Sequence, residues 1–210
     1  MTSKLAPLSG LAFLVLVIAG GLYGGQPPSE KGIKSAEELA AAYVAQADKL
    51  LVAVFVMGLG LVFLVYFGSV LKTALDSGSA ATGCLSRVAF AGVIVFVAGA
   101  ATDFTLIIAM VEAAKDKVDP LAIQALSIYF HNDFVPFAVG LLLLMSASAI
   151  SILKYGGAPK WLGWLAALIA VVGLIPPIGW FALPASGIWI LAASIVLAMQ
   201  ANKVDGPPAM

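Results

Sequence analysis

The stretch from Leu50 to Leu71 carries no charged side chain, and it constrains this sequence more than any other part of it. As a helix it would be about 33 Å long, enough to cross roughly 30 Å of hydrocarbon. Similar runs recur along the chain, of which 62% is hydrophobic and 10% charged. Soluble domains are about 45–50% apolar and about 25% charged. The sequence therefore predicts that most of this protein lies in a lipid bilayer.

We predict an all-α fold, a polytopic membrane helical bundle of six transmembrane helices arranged as three hairpins. It forms a single domain over residues 1–203, with a cytoplasmic tail at 204–210. The predicted spans cover residues 5–23, 50–71, 88–111, 134–153, 161–175 and 181–199. Short external helices precede spans 2 and 4, because the helical stretches there exceed the roughly 20 residues that one crossing needs. We interpret the first apolar run as a retained span rather than a cleaved signal peptide.

Turn-forming residues and helix-start signals divide the chain between these spans. Ser35 with Glu38 is a capping-box pattern, and Asp119-Pro120 is a second helix-start signal. We interpret residues 72–87 as a polar linker. The glycines of residues 20–25 form two overlapping GxxxG patterns, which suit close helix packing or an unwound helix end. We favour the unwound end, since prolines follow at once.

Basic residues favour an orientation with both termini inside. The inside loops then contain Lys4, Lys72, Arg87, Lys154, Lys160 and Lys203, and the outside carries Lys31, Lys34, Lys49, Lys115 and Lys117. Every inside turn has a basic residue close to a span, and acidic residues are interleaved with the external lysines.

A weak internal similarity accompanies the three predicted hairpins. Leu8, Leu85 and Leu162 begin similar apolar runs at equal spacings. A threefold repeat and a chance alignment of apolar sequence both explain this spacing.

Asp103 is an anomaly because it is a carboxylate within predicted span 3. A charged side chain at the bilayer centre costs about 2.5–3.5 kcal/mol on insertion scales. Counting from Arg87 places Asp103 about 24 Å along the helix, in the outer half of the membrane. It is either a carboxylic acid hydrogen-bonded by Thr102, Thr105 or a neighbouring span, or a proton or ligand site. We favour the first alternative.

A polar segment at the start of span 4 contains His131, Asn132 and Asp133, and we group these residues with Asp103 as a candidate polar, proton or ligand site. We favour Asp133 as the N-cap of span 4. His131 is the only histidine. If a side-chain bridge joins His131 to Asp103, His131 is its pH-sensitive member, and Asp103 would stabilise the charged form of the imidazole. A structural histidine at the outer interface is the favoured alternative.

Pro176 and Pro177 are a second candidate site, because proline-interrupted spans mark binding sites in transporters. We favour a compact external turn. Cys84 is the only cysteine, which excludes an intramolecular disulfide, and we predict a buried, inert thiol. The sequence predicts no metal site and no cofactor, and its balanced charge disfavours a nucleic-acid partner.

Four segments resemble those of a group of multi-span membrane proteins common in actinobacteria. They are Leu5-Ala6-Pro7-Leu8-Ser9-Gly10, Ala36-Glu37-Glu38, Asn132-Asp133-Phe134 and Pro159-Lys160-Trp161-Leu162-Gly163-Trp164. The resemblance implies a six-span, multi-pass protein of the bacterial plasma membrane. It implies no activity and carries over no catalytic residue.

Three functions stay open at this point. The first, which we favour, is a non-enzymatic accessory or scaffold subunit whose partners are the bilayer and other membrane proteins. The second is a small proton-linked transporter or permeation protein that uses Asp103 and His131. The third is a membrane-embedded enzyme acting on a lipid, with no catalytic constellation to assign.

Overall fold

The computed structural model describes residues 6–29, 33, 35–76, 79–175 and 178–204, with the backbone alone for 202–204. All regular structure in these ranges is helical. In chain order the helices are α1 (Ser9–Gly24), α2 (Ala36–Leu75), α3 (Ala80–Lys115), α4 (Pro120–Asn132), α5 (Val135–Tyr155), α6 (Lys160–Gly173) and α7 (Ala182–Val204). Short 3-10 turns at Ala6–Leu8 and Gly179–Phe181 precede α1 and α7.

Five helical segments are long and apolar enough to cross a membrane, with α4 and α5 counted together as one segment. They are Ala6–Gly24, Ala36–Leu75, Ala80–Lys115, Pro120–Tyr155 and Gly179–Ala201. The chain is therefore a multi-span membrane protein by helix length and hydropathy, which confirms the predicted helical bundle. The remaining segment, α6, is apolar but has only 14 residues. It is about 21 Å long, shorter than the hydrocarbon layer.

The helix starts at α2 and α4 follow the sequence signals. Ser35 accepts a hydrogen bond from the Glu38 backbone N–H at 3.2 Å, and Asp119 accepts one from the Leu121 N–H at 3.0 Å. Both contacts satisfy backbone donors that a helix leaves unpaired in its first turn. The stretches predicted as external helices before spans 2 and 4 are therefore helical. The first of them is the beginning of α2, which continues without a break.

The polar linker predicted over residues 72–87 was wrong. Helix α2 continues to Leu75, and α3 already begins at Ala80. Ser79 is the N-cap of α3 and forms a reciprocal capping box with Thr82. Polar residues that suggested a loop are thus the start of a helix. Cys84, in the second turn of α3, is exposed rather than buried as predicted.

Of the two GxxxG patterns, the one formed by Gly20 and Gly24 serves close packing, so its interpretation as an unwound end was wrong, whereas Gly25 of the other pattern ends α1 at a φ of 70°. Helix α1 runs through to Gly24, and this face lies against α2. A Cβ at Gly20 would lie 2.6 Å from Met57 Cγ, and one at Gly24 would overlap Ala53 Cβ. A methyl group at either position would separate the two helices.

Two clusters of buried side chains follow each other along the bundle. The larger one, which we call the bundle core, joins α1, α2, α3, α5, α6 and α7 around Phe67, Val93, Met145, Ala166 and Trp189. The second, which we call the cap, joins the first half of α2, the end of α3 and α4. Its buried residues are Leu39, Tyr43, Ala47, Leu50, Val54, Ile107, Met110, Val111, Ala114 and Ile123.

Helix length explains why the cap forms a separate region. Helix α2 has 40 residues and α3 has 36. At 1.5 Å per residue they are about 60 and 54 Å long, against roughly 30 Å of hydrocarbon. The charged residues Glu37, Glu38 and Glu112 lie at the cap ends of these helices. These two helices are thus longer than one hydrocarbon thickness, and their charged residues lie at the cap end.

Candidate functional site

Asp103 lies on the face of α3 that packs against the start of α5. One turn earlier, Gly99 lies so close to Pro136 that a Cβ there would be 2.6 Å from the proline Cβ. About one further turn toward the start of α3, the rings of Phe96 and Phe137 meet edge to face with their centroids 5.2 Å apart. Continuing this antiparallel register brings Asp103 beside Asp133, and the two carboxyl groups interact electrostatically. The sequence candidates Asp103 and Asp133 are therefore neighbours.

The predicted hydrogen bonds to Asp103 from nearby threonines were wrong. Thr102 donates to the Ala98 carbonyl at 3.0 Å, and Thr105 donates to the Ala101 carbonyl at 2.9 Å. Threonines within helices often bond the carbonyl four residues back, which leaves no proton for a neighbour. Among the described residues, nothing hydrogen-bonds the buried Asp103 Oδ1. Unpartnered buried polar atoms are uncommon, and each calls for an explanation.

The helix breaks opposite Asp103, between α4 and α5. Helix α4 ends at Asn132, α5 begins at Val135, and Pro136 occupies the first turn of α5. The N-cap of α5 is Phe134, with no side-chain cap among the described residues. The predicted N-cap role of Asp133 was therefore wrong, because the helix begins one residue later than that role requires.

His131 and Asn132 turn back onto their own helix. His131 Nδ1 donates to the Ser127 carbonyl at 2.8 Å, and Asn132 Nδ2 donates to the Ile128 carbonyl at 2.7 Å. In the described part of the chain, no ion pair or hydrogen bond joins His131 to Asp103, so this bridge is absent there. Of the four grouped candidates, the fold brings together the two aspartates.

A buried carbonyl connects His131 to the segment between α1 and α2. The Pro28 carbonyl accepts a hydrogen bond from the Tyr43 hydroxyl at 2.9 Å and a longer one, 3.5 Å, from the Ser127 hydroxyl. Ser127 also contacts His131. These contacts tie α2 and α4 to one point of the chain, and sequence reasoning missed them because their partners are far apart in sequence.

The electrostatic interaction between the Asp103 and Asp133 carboxyl groups favours a proton or another positive charge near them. Among the described residues, no three side chains of the metal-binding types come together. The helix-break candidates Pro176 and Pro177 lie outside the described residues. The chemistry available at the described site is therefore limited to the aspartate pair at the break between α4 and α5.

Sequence reasoning also missed an apolar cavity of about 260 Å³ between α5, α6 and α7. Phe134 and Trp180 stand at one end of it, with ring centroids 6.3 Å apart. A second, more open apolar groove lies between α2 and α3. Neither is lined by Asp103 or His131.

No known protein family, curated protein or solved structure matches this chain.

Proposed function

We propose that the protein is a non-enzymatic accessory or scaffold subunit of a membrane assembly in a bacterial plasma membrane. In this proposal it crosses the membrane six times, with α6 as the short fifth span, and keeps both termini in the cytoplasm. The cap then stands on the outer side, where it is available to another subunit. The positions of the basic residues in the loops support this orientation.

One observation carries the proposal, namely that α4 is apolar on two faces. Its inner face buries Ile123 and packs Phe130 against the cap. Its outer face exposes Leu121, Ile128 and Tyr129. The helix contains no aspartate, glutamate, lysine or arginine. In the proposed orientation this stripe lies beyond the membrane, where an exposed apolar surface is typical of one that another protein covers.

Photo-crosslinking from α4 tests the docking surface. A benzoylphenylalanine at Tyr129 should yield discrete protein adducts in intact membranes. The matched control is the same probe at Ile188 of α7, which is equally apolar and exposed but belongs to the bundle. That position should crosslink to lipid. If Tyr129 also gives lipid adducts only, and the protein purifies from mild detergent as a monomer without other proteins, the scaffold proposal is wrong.

The native Cys84 allows the proposed topology to be tested directly. It is exposed near the start of α3, on the side assigned to the cytoplasm. An impermeant maleimide should label it only after the membrane is opened. In a Cys84→Ser background, Val118→Cys in the loop between α3 and α4 should react in intact cells. Labelling of both positions, or of neither, in intact cells would contradict the proposed arrangement.

The second candidate function is proton-linked transport, which the buried and unpartnered Asp103 Oδ1 beside Asp133 favours. Discontinuous helices with ionisable groups at the break mark ion pathways in many transporters. In proteoliposomes with an imposed potential, Asp103→Asn should abolish any proton uptake that the wild type shows. Asp116→Asn, an exposed acid of the α3–α4 loop, is the control. Equal uptake by wild type and Asp103→Asn would exclude the role.

A further inference from the structure

The cavity between α5, α6 and α7 is apolar along its whole wall. Phe134, Phe137 and Leu141 of α5 form one side, and Ala170 and Gly173 of α6 with Trp180 form the other. Among the described residues that line it, no side chain carries a charge or a hydrogen-bonding group except the Trp180 indole. Such a space holds hydrocarbon rather than water, because an ordered water molecule needs two or more polar partners.

Its size suits a narrow occupant. At about 260 Å³ it lies just below the roughly 300–1,000 Å³ of pockets that enclose drug-sized ligands. A single hydrocarbon chain needs length but little width. The cavity lies between α5, the end of α6 and the start of α7.

The position of the cavity in the bundle indicates which leaflet of the bilayer supplies its occupant. Phe134 stands before α5, Gly173 ends α6 and Trp180 precedes α7, so the cavity lies at the cap-side ends of these helices. The 14 residues of α6 end short of a full crossing, which leaves a gap at the depth of the acyl chains of that leaflet. The rings of Phe134 and Trp180 are both exposed to the surroundings of the bundle.

We propose that this cavity binds one acyl chain of a bilayer lipid from the cap-side leaflet, with the Phe134 and Trp180 rings at its mouth. The headgroup then lies at the membrane surface, where tryptophan side chains are most often found. This site is independent of the proposed scaffold role, and it involves neither Asp103 nor the outer face of α4.

Tryptophan quenching tests the site in the full-length protein. A Trp161→Phe/Trp164→Phe background leaves Trp180 at the cavity and Trp189, which is fully buried and bonded to the Leu162 carbonyl. The protein in detergent micelles is titrated with phosphatidylcholine brominated at the middle of its acyl chains. Quenching of Trp180 should saturate at a single lipid per protein. The unbrominated lipid should reverse it by competition.

A matched pair of substitutions locates the binding. Gly173→Leu places a side chain in the cavity, where a Cβ meets its nearest neighbour, Ala182, at an ordinary 3.6 Å. It should raise the half-saturating lipid concentration about tenfold, as expected when roughly two methylene groups lose their contacts. Gly58→Leu fills the other apolar groove, where nothing lies within 4 Å, and should leave the titration unchanged.

Three outcomes overturn the proposal, and two of them need no variant. Quenching that rises with lipid content and never saturates would mean ordinary boundary lipid. An absence of Trp180 quenching would mean that no acyl chain enters the cavity. If quenching saturates but Gly173→Leu and Gly58→Leu shift it equally, the lipid binds elsewhere. Circular dichroism of each variant identifies loss of fold, and Ala170→Leu replaces Gly173→Leu if that variant unfolds.

Discussion

The bundle core and the cap are both apolar inside, yet they are held together differently. In the bundle core, α3 and α5 touch through their backbones, since a Cβ at Gly140 would lie 2.7 Å from the Phe96 nitrogen and 2.8 Å from the Gly92 carbonyl oxygen. In the cap, the segments of α2, α3 and α4 that pack together contain no glycine, and the Tyr43 and Ser127 hydroxyls meet on the Pro28 carbonyl.

In the proposed arrangement, which places the cap outside the membrane, the two solvents explain the difference. In lipid, burying an apolar side chain against another helix gains nothing from water, so small residues that allow close backbone contact stabilise the packing. In water, burial of Leu, Met and Ile side chains is itself favourable at roughly 25 cal/mol per Å². A cap built like a small soluble domain is thus what the ends of α2 and α3 require once they extend past the hydrocarbon.

The largest effect should come from separating α3 and α5. Gly140→Ala places a methyl group against backbone atoms, which have no other rotamer to adopt. It should therefore destabilise the bundle by about 3 kcal/mol or more. Unfolding by sodium dodecyl sulfate in mixed micelles measures this. Gly58→Ala adds the same methyl group in open space and should cost little. Equal losses would show that backbone contact does not hold the bundle core.

A smaller and more local effect should follow from Tyr43→Phe in the cap. It removes the main donor to the buried Pro28 carbonyl, which should cost about 1–3 kcal/mol. Hydrogen exchange should rise in α4 and the first half of α2 and stay unchanged in α5–α7. Tyr66→Phe, at an exposed position of α2, is the control. Faster exchange throughout the molecule would mean that the cap and the bundle core unfold as one unit.

At the border between the two regions, Asp103→Asn should stabilise the protein by about 1 kcal/mol, because it removes first the cost of burying a carboxylate and second its repulsion by Asp133. Asp133→Asn removes only the repulsion and should stabilise the protein less. The double variant should gain less than the sum of the two, because either substitution alone removes the repulsion. Thermal unfolding of the four proteins gives the coupling, and strict additivity would show that the two carboxyl groups do not interact.

The smallest effect is expected for His131→Ala. His131 is exposed and its one short bond is to a carbonyl of its own helix, so the free energy of unfolding should change by less than about 0.5 kcal/mol. The control is Asn132→Ala, which removes a similar bond. A loss as large as that of Tyr43→Phe would show that the contact from His131 through Ser127 to Pro28 supports the cap.

The sequence predicted the helices better than their contacts. Apolar runs, the Ser35 cap and the Asp119-Pro120 start are local signals, and each corresponds to a helix in the structure. The packing of Gly20 depends on which residue of α2 lies opposite, and sequence spacing does not contain that information. The interpretation of residues 72–87 failed for a related reason, since serine and threonine occur in loops and in helix caps alike.

The candidate site was predictable in part. Asp103 is conspicuous in any apolar helix, and a break near Asp133 follows from the length of the apolar stretch. That the two carboxyl groups meet, while His131 bonds its own helix, depends on the register of α3 against α5. The cavity at Trp180 had no sequence signal beyond the short apolar length of α6.

The claim that one helix passes from the membrane into a cap outside it can be tested on α2 itself. Val44 lies in the cap half and Val62 in the bundle half, with side chains 45% and 52% exposed. A spin label is attached at each position in turn, in a Cys84→Ser background and in lipid vesicles. It reports whether that position lies in water or in lipid. We predict that a water-soluble nickel complex relaxes the label at position 44 and that dissolved oxygen relaxes the label at position 62. Preference for oxygen at both positions would place the whole helix in lipid and contradict the account.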